Sequence, residues 1–126
     1  MSKRPNVLVV EDDAAIRKMI AHALSEFADV TDAEDGAAGL LALRGMTRYP
    51  DLLITDLMMP KVDGLTMLKQ IRADPAGKAM PVIILTAKTR PMDVVTGINA
   101  GARHYLTKPF QRDDLIAKAK SILRVS

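Results

Sequence analysis

Hydrophobic residues along the chain fall into two alternating patterns. Short apolar runs bounded by turn residues are followed by longer stretches in which apolar residues recur at helical spacing. This alternation is typical of a parallel β-sheet flanked by α-helices. It predicts an α/β fold of five strands, each followed by a helix, with the strands at residues 6–10, 30–33, 52–55, 82–85 and 104–106.

The helices are predicted from apolar stripes and from residues that begin or end helices. The first stripe matches helical spacing closely, with Ile16, Met19, Ile20, Ala23, Leu24 and Phe27. The second helix follows Asp35-Gly36 and reaches about Leu43, after a strand whose polar residues favour the sheet edge.

Capping residues locate the remaining helices. Asp63 is a predicted N-cap, with Leu65, Leu68 and Ile71 facing inward before Asp74-Pro75 stops the helix. The fourth helix is predicted from about Pro91 to Asn99, closed by Gly101. The apolar positions of the last helix are Leu115, Ile116, Ala119, Ile122 and Leu123.

Composition favours one globular domain over residues 1–126, with 48 % hydrophobic and 26 % charged residues. No apolar run approaches a membrane span, and the polar first residues do not resemble a signal peptide, so a cytoplasmic protein without a membrane partner is expected. The chain has no cysteine, and its two histidines, His22 and His104, lie far apart. Any bound metal should therefore have oxygen ligands.

The formal net charge of +3 raises the question of nucleic-acid binding. The Lys and Arg residues are scattered without a dense run, and aromatic residues make up only 3 % of the chain. We therefore interpret the charge as a solvated surface and expect no direct nucleic-acid binding by this domain.

Reactive residue types lie at the ends of the predicted strands. The carboxyl ends of parallel strands meet at one edge of a sheet, where ligand sites form. Four strand ends carry such residues, namely Glu11-Asp12-Asp13, Asp56, Thr86-Ala87 and Lys108-Pro109.

Crowded carboxylates repel one another unless a cation compensates. Mg²⁺ suits a site with a few oxygen ligands, water and a substrate phosphate. Lys108 can offer a point charge to a phosphoryl group, and Thr86 can offer a hydroxyl. The Asp56 carboxylate can attack phosphorus to form an acyl phosphate.

Each of these residues also has a purely structural interpretation. Asp13 is a typical N-cap of the first helix and is expected to serve as one. Thr86 alone would be a strand-end hydroxyl, and Lys108 alone a solvated loop charge. Their combination at four strand ends favours a phosphoryl site over separate structural roles.

Four segments together resemble the receiver domains of two-component response regulators, and the resemblance covers essentially the whole chain. The segments are Val9-Val10-Glu11-Asp12-Asp13, Asp56-Leu57-Met58-Met59-Pro60-Lys61-Val62-Asp63-Gly64, Leu85-Thr86-Ala87 and Gly101-Ala102-Arg103-His104-Tyr105-Leu106-Thr107-Lys108-Pro109-Phe110. The resemblance implies a flavodoxin-like, doubly wound parallel sheet of order 2-1-3-4-5 with five helices. It also implies Mg²⁺-dependent phosphorylation of Asp56 by a sensor histidine kinase or a phosphotransfer protein.

The family's site residues carry over by position. The resemblance implies that Asp12 binds Mg²⁺ directly and that Glu11 binds it through water. It implies that Asp56 is both a ligand and the phosphoacceptor. The backbone carbonyl of Met58 is implied as a further ligand. It implies that Thr86 and Lys108 contact the phosphate, that Tyr105 is the switch aromatic, and that the Lys108–Pro109 bond is cis.

Activation in this family remodels the surface formed by helix four, strand five and helix five. That surface is expected to meet a downstream protein partner or output domain, with the chain a monomer or a phosphorylation-dependent dimer. The chain is expected to be a signalling phosphoacceptor rather than an enzyme, apart from self-catalysed phosphoryl transfer and autodephosphorylation.

Three other classes of protein share part of this pattern. A phosphatase of the haloacid-dehalogenase type needs a second Asp two residues after the nucleophile, where this chain has Met58. A flavodoxin-like cofactor carrier needs a phosphate loop that Glu11-Asp12-Asp13 would not provide. A receiver-fold interaction adaptor that is not phosphorylated remains the alternative, although such proteins usually lack an acid, the threonine or the lysine.

Overall fold

A five-stranded parallel sheet forms the centre of the molecule. The computed structural model describes residues 4–57, 63–87 and 91–125. The strands are β1 (Asn6–Val10), β2 (Asp29–Ala33), β3 (Leu52–Asp56), β4 (Val82–Ala87) and β5 (His104–Lys108). Their order is β2-β1-β3-β4-β5, and every neighbouring pair is parallel. The predicted α/β class and strand order are confirmed.

Five α-helices follow the strands, and the first three begin after an aspartate whose side chain accepts from a backbone N–H group. They are α1 (Ala14–Leu24), α2 (Gly36–Arg44), α3 (Gly64–Ala73), α4 (Met92–Asn99) and α5 (Arg112–Leu123). Asp13 caps α1 by accepting from Ile16 N at 3.1 Å, and Asp63 caps α3 by accepting from Thr66 N at 2.8 Å. Both predicted N-caps are confirmed. No helix in the described ranges is long and apolar enough to cross a membrane.

The central strands β1, β3 and β4 are buried on both faces, so the sheet separates two hydrophobic clusters. One cluster joins alternate residues of β1, β3 and β4, such as Val9 and Ile54, to α1 and α5. The other joins the intervening strand residues, such as Leu8 and Leu53, to α2 and α3. Because each face is covered, the register of the central strands is strongly specified.

The sheet differs from the prediction mainly at its last two strands. β4 extends two residues beyond the predicted 82–85, and β5 extends two residues beyond the predicted 104–106, because Thr86 and Ala87 pair with Thr107 and Lys108. An unpredicted 3-10 helix, Pro75–Gly77, follows α3. The predicted inward residues Leu68 and Ile71 are buried, whereas Leu65 is only partly buried.

Candidate functional site

The register between β1 and β3 brings the first two acidic segments side by side. Val10 pairs with Thr55, so the next residues, Glu11 and Asp56, leave neighbouring strands at the same level of the sheet. Both strands are buried up to this point, which leaves the carboxyl ends as the place where polar side chains gather. The predicted meeting of these strand ends is therefore observed.

The register of β4 and β5 adds the other two side-chain types. Asp56 pairs with Leu85, so Thr86 lies one residue beyond it on β4. Lys108 pairs with Ala87 and is the last residue of β5. The sheet thus presents a hydroxyl and an ammonium group at the same edge as the carboxylates.

Three carboxylates form a compact cluster at this edge. Ligand oxygens of Glu11, Asp12 and Asp56 all lie within 4.8 Å of one another. Glu11 is fully buried, the Asp56 side chain is 16 % exposed, and Asp12 faces solvent. The cluster is therefore buried at one side and open at the other.

Lys108 holds two of these carboxylates. Its Nζ donates to Asp56 Oδ2 at 2.8 Å and lies 2.5 Å from Glu11 Oε1. Burial of the ammonium opposes its charge, but the Asp56 and Glu11 carboxylates outweigh this effect and raise the pKa of Lys108. Lys108 therefore remains a cation at neutral pH.

Glu11 is the most desolvated acid of the cluster. Its Oε2 accepts from Asp13 N at 2.9 Å, and Lys108 contacts its Oε1. Burial raises the pKa of Glu11 above its usual 4.5, while the Asp13 hydrogen bond and Lys108 act in the opposite direction. Within the described residues, the three carboxylates carry more negative charge than the Lys108 ammonium balances, which favours a further cation.

The donor set fits Mg²⁺. Among the described residues, Oε1 of buried Glu11 has an ion-pair contact but no hydrogen-bond partner with suitable geometry. The neighbouring ligand atoms are all carboxylate oxygens, the type that hard divalent cations prefer. The predicted ligand Met58 lies outside the described residues, so this test covers Glu11, Asp12 and Asp56 only.

The remaining predicted site residues have distinct environments. Thr86 is buried, and its hydroxyl lies 3.4 Å from the Ala87 carbonyl as a hydrogen-bond donor. Tyr105 on β5 is 48 % exposed. The Lys108–Pro109 bond is cis, as the resemblance implied.

Two residues support the site without having been predicted to do so. Arg17 on α1 donates from Nη1 to the main-chain carbonyl of Glu11 at 2.9 Å. Gly64 at the start of α3 packs against the main chain of Asp56 and donates its N–H to Leu57 O at 2.9 Å. Both contacts are made to backbone atoms, so no pattern of residue types indicates them.

A large cleft lies at the opposite edge of the sheet. It has a volume of about 1200 Å³, and residues just before β1, β3 and β4, including Pro5, Asp51 and Pro81, line it. Its two acidic residues are already engaged: Asp51 accepts from Asn6 N, and Asp74 accepts from Tyr49 Oη, each at 2.9 Å. The clustered carboxylates and ammonium therefore locate the candidate site better than cavity volume does.

Comparison with known proteins agrees with this geometry. Residues 7–120 match the family model described as "Response regulator receiver domain". The chain is 38 % identical over 122 residues to the DNA-binding dual master transcriptional regulator RpaA of Synechocystis sp., covering 95 % of this chain and 49 % of that protein. It is 40 % identical over 126 residues to the transcriptional regulatory protein CseB of Streptomyces avermitilis, covering 98 % and 51 %.

A solved structure shows the same fold over nearly its full length. The chemotaxis response regulator CheY4 of Vibrio cholerae superposes with a TM-score of 0.86 at 30 % identity, covering 95 % of this chain and 99 % of that one. By contrast, the chain spans about half the length of the curated relatives it matches.

Proposed function

The chain belongs to the response regulator receiver domain family of two-component signalling, and from this premise we propose that Asp56 is its phosphoacceptor and that Mg²⁺ is required. The observation that carries the proposal is the cluster of Glu11, Asp12 and Asp56 within 4.8 Å, with Lys108 bound to Asp56. We further propose a histidine kinase or phosphotransfer protein as the phosphodonor.

The proposed reaction is a direct transfer to the carboxylate. An Asp56 oxygen bonds to phosphorus while the bond from phosphorus to the donor's histidine nitrogen breaks, and that nitrogen keeps the electron pair. No proton has to leave Asp56 first, because an ionised carboxylate is already a nucleophile. Mg²⁺ held by Glu11, Asp12 and Asp56 would neutralise charge on the transferring phosphoryl group.

Lys108 has two roles in this proposal. Before transfer, its ammonium lies between Asp56 and Glu11 and reduces their mutual repulsion. After transfer, the same ammonium offers a point charge to the phosphoryl oxygens. Thr86, at the next strand end, would donate its hydroxyl to one of these oxygens.

The proposed output is a change on the surface of α4, β5 and α5. Met92, Val95 and Ile98 recur at three-residue spacing on α4 and are exposed, as is Tyr105 of the adjacent β5. Such exposed apolar groups are typical of protein-binding surfaces. Movement of buried Thr86 toward a phosphate would leave space for Tyr105 to turn inward and alter this surface.

The partner bound there is proposed to be a protein or an output domain. Two of the curated relatives are described as DNA-binding or transcriptional regulators, and the chain matches about half of each. We propose that the receiver itself does not contact nucleic acid, because its Lys and Arg residues are scattered along the chain without a dense run.

Intact-mass spectrometry tests the central proposal. The chain is incubated with Mg²⁺ and acetyl phosphate, alongside Asp56→Asn and the control Asp113→Asn, which alters an exposed acid in the first turn of α5. We expect one phosphoryl adduct on the native chain and the control, and none on Asp56→Asn or with a metal chelator. Absence of an adduct, while a known receiver is labelled in parallel, would favour the interaction adaptor.

A further inference from the structure

Arg17 links α1 to the acidic end of β1. Its side chain is only 16 % exposed, and its Nη1 donates to the Glu11 carbonyl at 2.9 Å. Its Nε lies 3.4 Å from Asp32 Oδ2 on β2, whose side chain is 45 % exposed. The guanidinium is thus held between a neighbouring strand and the main chain of the carboxylate cluster.

The Glu11 carbonyl belongs to the peptide unit that leads to Asp12. Because that unit is planar and the Glu11 Cα atom is placed by β1, fixing the carbonyl oxygen also restricts the position of the Asp12 Cα atom. The Glu11 N–H is held separately, by Ala33 O at 3.0 Å. Asp12 itself is exposed, and the peptide units on both sides of it are held: Arg17 binds the preceding carbonyl, and the following Asp13 N–H donates to Glu11 Oε2 at 2.9 Å.

We propose that Arg17 is a positioning residue for the divalent-cation site. It contacts neither the carboxylate oxygens of the cluster nor the reacting atoms, and acts by holding the Glu11–Asp12 peptide plane. This inference rests on the proposed function, because it assumes that Glu11, Asp12 and Asp56 bind Mg²⁺. The site would then depend on a side chain of α1 as well as on the residues at the strand ends.

A purely structural role for Arg17 would have different consequences. Its ion pair with Asp32 is partly solvated, and pairs of this kind contribute little to stability. If Arg17 only supported folding, its loss would lower stability and leave Mg²⁺ affinity unchanged in the folded protein. If only its charge mattered, removing a cation beside the acidic cluster would strengthen Mg²⁺ binding.

Mg²⁺ titration of the folded chain separates these cases. The dissociation constant is measured by NMR from the amide signals of Glu11, Asp12 and Asp56, at a temperature where every variant is folded. The variants are Arg17→Met, which keeps an apolar stem without a donor, and Arg17→Lys, which restores one donor. The control Arg112→Gln alters an arginine of α5 that pairs with Glu26.

We expect Arg17→Met to weaken Mg²⁺ binding about 10-fold or more, as is usual when a partner that orients a metal ligand is lost. Arg17→Lys should bind Mg²⁺ more tightly than Arg17→Met, and Arg112→Gln should match the native chain. Equal or tighter binding by Arg17→Met would overturn the inference and leave the proposed function standing. Absence of Mg²⁺ binding by the native chain would overturn both.

Discussion

Gly64 begins α3 directly against the strand end that carries Asp56. A Cβ atom on Gly64 would lie 2.0 Å from the Asp56 carbonyl oxygen and 3.0 Å from Leu57 Cα. Both neighbours are backbone atoms, so a change of side-chain rotamer cannot relieve the contact. The absence of a side chain at Gly64 therefore allows α3 to pack against the end of the strand that carries Asp56.

Gly64→Ala should consequently disturb both stability and the site. We expect the free energy of unfolding, measured with urea, to fall by about 1–3 kcal/mol, the usual cost of overpacking. Phosphorylation by acetyl phosphate should also decrease, because the backbone of Asp56 must move.

Gly45→Ala is the matched control for this substitution. A Cβ atom there would meet its nearest neighbour, Ala42 O, at an ordinary 3.6 Å. Gly45 also has a helical backbone conformation that alanine adopts readily. Equal stability and labelling of the two variants would contradict the close-packing argument.

The residue types of the site could be predicted, but their supports could not. Glu11, Asp56, Thr86 and Lys108 follow recognisable strands, and parallel strand ends necessarily meet. Arg17 and Gly64 act on backbone carbonyls, whose positions depend on how the helices pack. Met58 was predicted from the resemblance and stays a prediction.

At the scale of elements, Arg72 connects two corners of the fold. Its Nη1 donates to Gly77 O at 2.6 Å, in the 3-10 helix after α3, and its Nη2 donates to Gly101 O at 3.0 Å, between α4 and β5. Burial, with a contribution from the Arg103 charge, lowers the pKa of Arg72. Gly101 has φ of 103°, a conformation that favours glycine. The Arg72 side chain occupies the space that a side chain at position 101 would need.

Replacing Arg72 should remove the hydrogen bonds to Gly77 and Gly101 at the same time. Arg72→Met keeps an apolar stem but leaves two carbonyls without their charged donor, so we expect a loss of about 1.5–3 kcal/mol in the free energy of unfolding. Lys69→Met, an exposed position on the same helix, controls for the loss of a positive charge. A similar change in both variants would show that the two hydrogen bonds contribute nothing specific.

The elements that were predicted well are those with a clear apolar period. β1, β3 and β4 are continuous apolar runs, and α1 has a regular stripe. The ends of β4 and β5 were both predicted two residues too early, because Thr86, Thr107 and Lys108 are polar and these ends extend only through pairing between the two strands. The 3-10 helix after α3 has no apolar period at all.

In the whole molecule, the polar site lies at the carboxyl edge of the sheet, whereas each face of the sheet packs against an apolar cluster. The clusters on either face need only hydrophobic residues of suitable size, whereas the edge needs particular polar groups at particular levels. Parallel pairing supplies those levels, because each strand ends beside its neighbour. Core packing and site geometry therefore depend on the same strand register.

Global stability should also respond to pH through His104 on β5. Burial, together with the charges of Lys118 and Arg103, lowers the pKa of His104 below its usual 6.5. Lys118 and Asp114 of α5 line the same cleft as His104. Because the unfolded chain then binds the proton more readily, His104 contributes stability that is fully present above pH 6.5 and is lost as pH falls through the folded-state pKa.

Urea unfolding across mildly acidic and neutral pH would measure this contribution. The native chain should lose stability relative to His104→Gln as pH falls, since the variant has no proton to take up at this position. His22→Gln, at an exposed position of α1, is the control for the loss of a histidine. Parallel curves for the native chain and His104→Gln would mean that His104 titrates alike in both states, and that the charges of Lys118 and Arg103 are screened by solvent.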